Sequence, residues 1–98
     1  MVNQFVLIGR ITDIKTMKNK TIVTLAIPRS YKNKEGYYET DFIKITTTKE
    51  IAKTIQEYCI IGDLISARGT IQTNNNKIIF KTYNVGFLSA SNKEVNYD

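Results

Sequence analysis

"ETDFIKITTTKEIAKTIQEYCIIGDLISARGTIQT", residues 39–73, passes from a strand into a helix and back into a strand. In "ETDFIKITT" (39–47) the side chains alternate. Ile43 and Ile45 share one face, while Phe42, Lys44, Thr46 and Thr48 share the other. In "KEIAKTIQEYC" (49–59) the period changes. Ile51, Ile55, Tyr58 and Cys59 fall at i, i+4, i+7 and i+8, the apolar stripe of a helix. Thr47 with Glu50 reads as a capping box, and Gly62 lies beyond the helix end, where a left-handed residue is expected. "DLISARGTIQT" (63–73) then resumes a strand.

Working outward, "QFVLIGRITDI" (4–14) reads as a long strand with Gly9 as a bulge or close-approach point. "KTMKNK" (15–20) is a basic turn, and "TIVTLAIP" (21–28) is a strand ended by the only proline. "RSYKNKEGYY" (29–38) is a hairpin connection, turned at Asn33–Gly36. On the other side, "KIIFKTYNVGFL" (77–88) is a fifth strand, and "NNN" closes a hairpin between it and the fourth. The order predicts an all-β fold with one helix: a five-stranded Greek-key OB-fold barrel, with the helix between strands 3 and 4. Closure would remove the exposed edges of such short strands. An open antiparallel sheet with a helix on one face is the alternative topology. Residues 1–88 form the expected domain, and 89–98, "SASNKEVNYD", a polar, flexible tail.

The chain is 98 residues long, one domain's worth, and its apolar content is rich in β-branched and aromatic types that favour strands. The net charge is +5 and the pI about 9.4, which points to an anionic partner. The excess is local. Residues 10–34 hold seven basic groups against Asp13 alone, and the remainder holds seven basic and eight acidic. No apolar run approaches the roughly 18 residues of a membrane span, and "MVNQFVLIGR" lacks the basic start and small-residue cleavage site expected of a signal peptide. A single cysteine, Cys59, suits a reducing cytoplasm and reads as a small buried hydrophobe.

The stretch "AIPRSYKNKEGYYETDFIKI" (26–45) carries the chemistry. Rings and cations interleave there: Tyr31, Tyr37, Tyr38 and Phe42 with Arg29, Lys32, Lys34 and Lys44. If Ile43 and Ile45 face the core, Phe42 and Lys44 look outward. Single-stranded nucleic acid requires such a surface, because bases stack on rings and cations track phosphates. The competing readings are a register that buries Phe42, tyrosines that pack on the barrel rim or a second subunit, and lysines that are plain solvated surface. The candidate nucleic-acid contacts are Arg10, Lys20, Arg29, Tyr31, Lys32, Lys34, Tyr37, Tyr38, Phe42, Lys44, Thr46, Thr48 and Arg68.

These residues resemble the bacterial single-stranded DNA-binding protein family. "VNQFVLIGRIT" is similar to its opening strand, "VTLAIPRSYKN" to its second strand and hairpin, and "ETDFIKI" to its third strand. "IAKTIQEYCIIGDLISARGTIQT" is similar to its helix and fourth strand, so the resemblance runs from residue 2 to 88. It implies an OB fold, non-specific ssDNA binding in replication, recombination or repair, and a homo-oligomer, tetramer or dimer. Under it, Tyr31 and Phe42 match stacking aromatics and Lys44 matches a basic residue on the same face. Thr48 stands where a bulky aromatic usually sits, and Asn76 near another. The hairpins after strands one and four are short, and "NKEVNYD" does not match the family's acidic tail. The resemblance therefore describes a divergent, short-loop, tail-less member with weaker or shorter-site binding.

Two further readings remain. One is a primosomal-type OB module that binds protein first and ssDNA weakly. The other is an enzyme, and the residues argue against it: there is no histidine, Cys59 has no neighbouring base, and all five glycines are isolated. No cofactor, metal, membrane or small-molecule substrate is expected. The expected partners are ssDNA, further copies of the chain, and replication or recombination proteins. The expected location is the cytoplasm, at the nucleoid, in chromosomal or mobile-element maintenance.

Overall fold

The computed structural model describes residues 1–92. The elements run β1 (Phe5–Thr16), β2 (Thr21–Lys32), β3 (Tyr38–Thr47), α1 (Lys49–Tyr58), β4 (Leu64–Asn74) and β5 (Lys77–Phe87). The strands close a barrel in the order β1-β2-β3-β5-β4, with every ladder antiparallel except β3–β5. The OB-fold architecture, with its helix between strands three and four, is the one the element order predicts. No open sheet edge is left along this circuit, so the alternative topology does not apply.

Alternation places the core. Phe5, Ile11, Val23, Leu25, Ile45, Ile65 and Ala67 point inward and are buried. The Phe5 ring meets Phe80 edge-on, with centroids 5.3 Å apart. A bulge lies between Ile11 and Asp13, not at Gly9. The extra residue shifts the phase, so Asp13 stays exposed and Ile14 turns toward the core. Gly9 is instead a point of close approach. A Cβ there would lie 2.8 Å from the Ala26 carbonyl oxygen.

β2 does not end at Pro28 but continues to Lys32. β1 stops pairing with β2 at Arg10↔Ala26, so Pro28 sits where β3 is its remaining neighbour and a missing N–H breaks no second ladder. The β4–β5 turn is tighter than "NNN" suggests. Asn74 pairs with Lys77, leaving Asn75 and Asn76 as a two-residue loop with φ of 51° and 65°, the left-handed pair that a hairpin of this twist needs.

The helix closes one end of the barrel through Ala52 and Ile55, and Tyr58 tilts against Phe87 at 5.3 Å. Its N-cap is Thr48, whose Oγ1 accepts from the Ile51 N–H at 3.2 Å, and not Thr47. Thr47 points inward, is buried, and donates to the Thr21 carbonyl at 3.3 Å. Gly62 does take a left-handed φ of 99°, in the turn that leads to β4. Beyond β5, Ser89, Ser91 and Asn92 are hydrogen-bonded to the barrel and helix. The remainder of the expected tail, from residue 93 on, lies outside the described residues.

Candidate nucleic-acid interface

The outer face of the β2–β3 ladder carries the ring and the cation side by side. Ala26 pairs with Phe42, Thr24 with Lys44 and Ile22 with Thr46. Ile45 between them is fully buried, so alternation turns Phe42 and Lys44 out. Phe42 is 64% exposed. The residue opposite is a small alanine, which leaves both faces of the ring uncovered by its cross-strand neighbour. The burial pattern of β3 excludes the reversed register that would have buried Phe42.

Beside this row lies a groove of about 490 Å3. Lys15, Lys20, Lys44 and Lys77 line it against one carboxylate, Asp13, and Ile22 and Ile78 supply apolar floor and wall. Its walls come from β1, β2, β3 and the β4–β5 hairpin tip. Four lysines set against one carboxylate leave the groove with a net positive charge, and a phosphate chain offsets it.

The β2–β3 hairpin extends the face. Tyr31, Tyr37 and Tyr38 are all more than half exposed. The Lys32 ammonium sits 5.7 Å from the centroid of the Tyr38 ring, its ladder partner. Asn33 organises the turn: its Oδ1 accepts from the N–H groups of Glu35 and Tyr37, both at 3.0 Å. Gly36 takes the left-handed φ of 88° there. Lys34 is exposed on the same turn.

Arg29 belongs to this hairpin, but its guanidinium is engaged. Nε and Nη2 donate to the two oxygens of Asp41 and Nη1 to Glu39, each at 3.0 Å. The hydrogen bonds and charge of Asp41, then the charge of Glu39, raise the Arg29 pKa further above its ordinary value. The same hydrogen bonding lowers that of Asp41, against a smaller opposing effect of burial. Arg29 therefore shapes the hairpin.

Three expected contacts belong neither to the groove nor to the hairpin face. Arg10 donates through Nη1 to the Gly62 carbonyl at 3.0 Å and lines a separate apolar cleft of about 400 Å3 with Ile8, Ala26, Pro28 and Leu64. Arg68 stands on β4 between Val6 and Asn84. Thr48 spends its oxygen on the helix cap. The candidate contacts left out Lys15, Lys77, Ile78 and Lys81, and Tyr83 entered the sequence reading only as a strand-five ring that would compensate for the unmatched aromatics. Lys15 falls in the basic sector, and alternation against buried Thr82 marks Lys81 and Tyr83 as outward, but only the fold brings Lys77 and Ile78 over the groove. Among the described residues, no cluster of three or more His, Cys, Asp or Glu side chains is placed to hold a metal ion, and no helix is long and apolar enough to cross a membrane.

A closed five-stranded barrel with one inter-strand helix and an outward ring-and-lysine face is an OB-fold protein of the oligonucleotide-binding architecture. The family model that matches is the single-strand binding protein family, over residues 2–81, and the chain belongs to that family. It is 35% identical over 81 residues to single-stranded DNA-binding protein B of Bacillus subtilis, an alignment covering 76% of this chain and 72% of that one. Identity to single-stranded DNA-binding protein 1 of Streptococcus pyogenes is 37% over 81 residues, covering 76% and 62%. Against a Staphylococcus aureus relative the chain spans about half the length, 52%. Among solved structures, the fold matches the mitochondrial single-stranded DNA binding protein of S. cerevisiae with a TM-score of 0.70 at 17% identity, covering 92% of this chain and 99% of that one. It matches the Plasmodium falciparum SSB in complex with ssDNA at 0.67 and 20%, covering 91% and 96%.

Proposed function

We propose that the chain binds single-stranded DNA without sequence preference, stacking bases on Phe42 and the hairpin tyrosines and holding phosphates with Lys20, Lys32, Lys34, Lys44 and the groove lysines. One observation carries the reading: a 64%-exposed phenylalanine stands beside a lysine at the lip of a four-lysine groove. Stacking is worth roughly 1–3 kcal/mol per base and tolerates any base, because every base has a π face. The names of the relatives, and the ssDNA in the P. falciparum complex, support the same substrate.

In this reading the protein is a binder, not an enzyme, and works on DNA at the nucleoid in replication, recombination or repair. It acts as a homo-oligomer. Val6 and Ile8 on the outer face of β1, 52% and 51% exposed, supply an apolar surface of the kind that second copies cover. The primosomal-type alternative, protein first and DNA weakly, has less support, because protein contact alone leaves the four-lysine groove without a use. A titration with oligothymidine, followed by tyrosine fluorescence at rising salt, tests the proposal. Quenching is expected, with an affinity that falls by about 0.7 log units per contacted phosphate for each log unit of salt. Binding with neither quenching nor salt dependence would refute both stacking and phosphate contact.

A further inference from the structure

The outward row on β3 does not stop at Thr46. Thr46 pairs with Lys81 in the parallel β3–β5 ladder, and beyond that pair Thr48 and Tyr83 line the same cleft. Lys20, Thr46, Thr48, Lys81 and Tyr83 line one cleft of about 250 Å3. Lys20 and Thr46 also line the four-lysine groove, so the cleft adjoins it. Thr82 is buried at 1% exposure, and alternation sends Tyr83 outward at 55%. The Lys81 ammonium lies 5.9 Å from the Tyr83 ring centroid, the same ring-and-cation pairing that Lys32 makes with Tyr38 at 5.7 Å.

We infer that Tyr83 and Lys81 form a second station on the path of the same DNA strand, stacking a base and holding a phosphate after the strand has crossed Lys44 and Thr46. The inference rests on the ssDNA reading above. From the level of Phe42 to that of Thr48 the path rises six residues, about 20 Å at about 3.3 Å per residue. The shortest oligomers reach one ring only, and longer ones, within the roughly 4–16 nucleotides that one OB barrel engages, reach both.

The test is an oligothymidine series from about 4 to about 16 nucleotides, bound by the wild-type chain and by Phe42→Ala, Tyr83→Ala, Tyr83→Phe and Lys81→Gln, with the solution mass of each measured. Tyr83→Ala should lower affinity for the long oligomers roughly tenfold or more and leave the shortest unchanged. Tyr83→Phe should bind as wild type, and Lys81→Gln should flatten the salt dependence by about 0.7 for long oligomers only. If Tyr83→Ala fails to fold, Lys81→Gln alone decides through that slope. Equal affinity of wild type and Tyr83→Ala at every length, with Phe42→Ala weakened, overturns the inference and spares the parent reading. A changed mass without lost affinity also overturns it, because the ring then faces a second copy. A wild-type chain that binds no oligothymidine sinks the parent reading itself.

Discussion

Arg29 and Asp41 face each other across the β2–β3 hairpin through two parallel hydrogen bonds, Nε to Oδ2 and Nη2 to Oδ1, both 3.0 Å. A guanidinium forked onto a carboxylate in this way has its direction fixed as well as its charge met. The hairpin that carries Tyr31, Tyr37 and Tyr38 is thus held at its base, where the β2–β3 register shifts between Pro28 and Lys32.

Asp41→Asn should loosen the hold on that guanidinium. The neutral amide keeps the shape but removes one of the two carboxylates, leaving Glu39 on Nη1, so a phosphate competes better for Arg29. The salt dependence of ssDNA binding should steepen by up to about 0.7, the share of one further phosphate contact on a single strand. The melting temperature should barely move, because the pair is solvent-exposed and such pairs add little to stability. A shallower slope would show that the clamp serves binding only through the hairpin's shape. Oligothymidine titrations at several salt concentrations measure it.

Phe42→Ala should separate binding from folding. The ring is 64% exposed and packs on little, so the variant should melt with the wild type. Affinity for oligothymidine should fall by roughly fivefold to a hundredfold, the equivalent of about 1–3 kcal/mol of stacking. Calorimetric melting and equilibrium titration on the same preparation check both halves.

Phe42 is legible in the sequence because period two needs only its own strand: two isoleucines and a lysine set the register. Arg29 is not, because counting charge cannot tell a free cation from one forked onto Asp41, and that pairing depends on a register shift in the ladder. The cap is ambiguous for a similar reason. Thr47 and Thr48 carry the same hydroxyl, and what decides is that Thr47 faces inward to the Thr21 carbonyl. The groove is the least legible feature. Lys77 and Ile78 reach Lys15, Lys20 and Lys44 only because the fold brings the β4–β5 hairpin against the barrel wall, a contact between segments more than thirty residues apart.

Asp63 predicts an acid transition. Its buried carboxylate accepts from both the hydroxyl and the N–H of Ser91, from the Ile60 N–H and from the Ser89 hydroxyl. The Ser91 hydroxyl bond leads in lowering its pKa from 3.8 to about 2, against the opposing effect of burial. The unfolded chain therefore takes up this proton at a higher pH than the folded one. The stabilisation is complete above the unfolded value and is lost as pH falls from about 4 toward 2. Asp63→Asn should melt below the wild type at neutral pH, and the gap should close across that window. Melting temperatures of both proteins between neutral pH and pH 2 measure it, and a gap that stays constant would mean the carboxylate's charge contributes nothing.

Gly69→Ala should damage the β4–β5 ladder that carries the groove wall. Gly69 sits at the register shift of that ladder, and a Cβ there would run into the Lys81 carbonyl oxygen and lie 2.9 Å from the Phe5 ring. The first obstacle is backbone, so no side-chain rotation relieves it, and the strands must part. Overpacking of this kind costs about 1–3 kcal/mol, and a backbone contact belongs at or above the top of that range. The displaced strand holds Lys81 and, four residues earlier, Lys77. The variant should therefore lose both melting temperature and ssDNA affinity, whereas Ile55→Ala, which leaves a cavity under the helix for about 2–5 kcal/mol, should lose stability while the folded fraction binds normally. Denaturant melts paired with titrations well below each midpoint distinguish the two. Unchanged binding by folded Gly69→Ala would mean that β5 does not shape the DNA face.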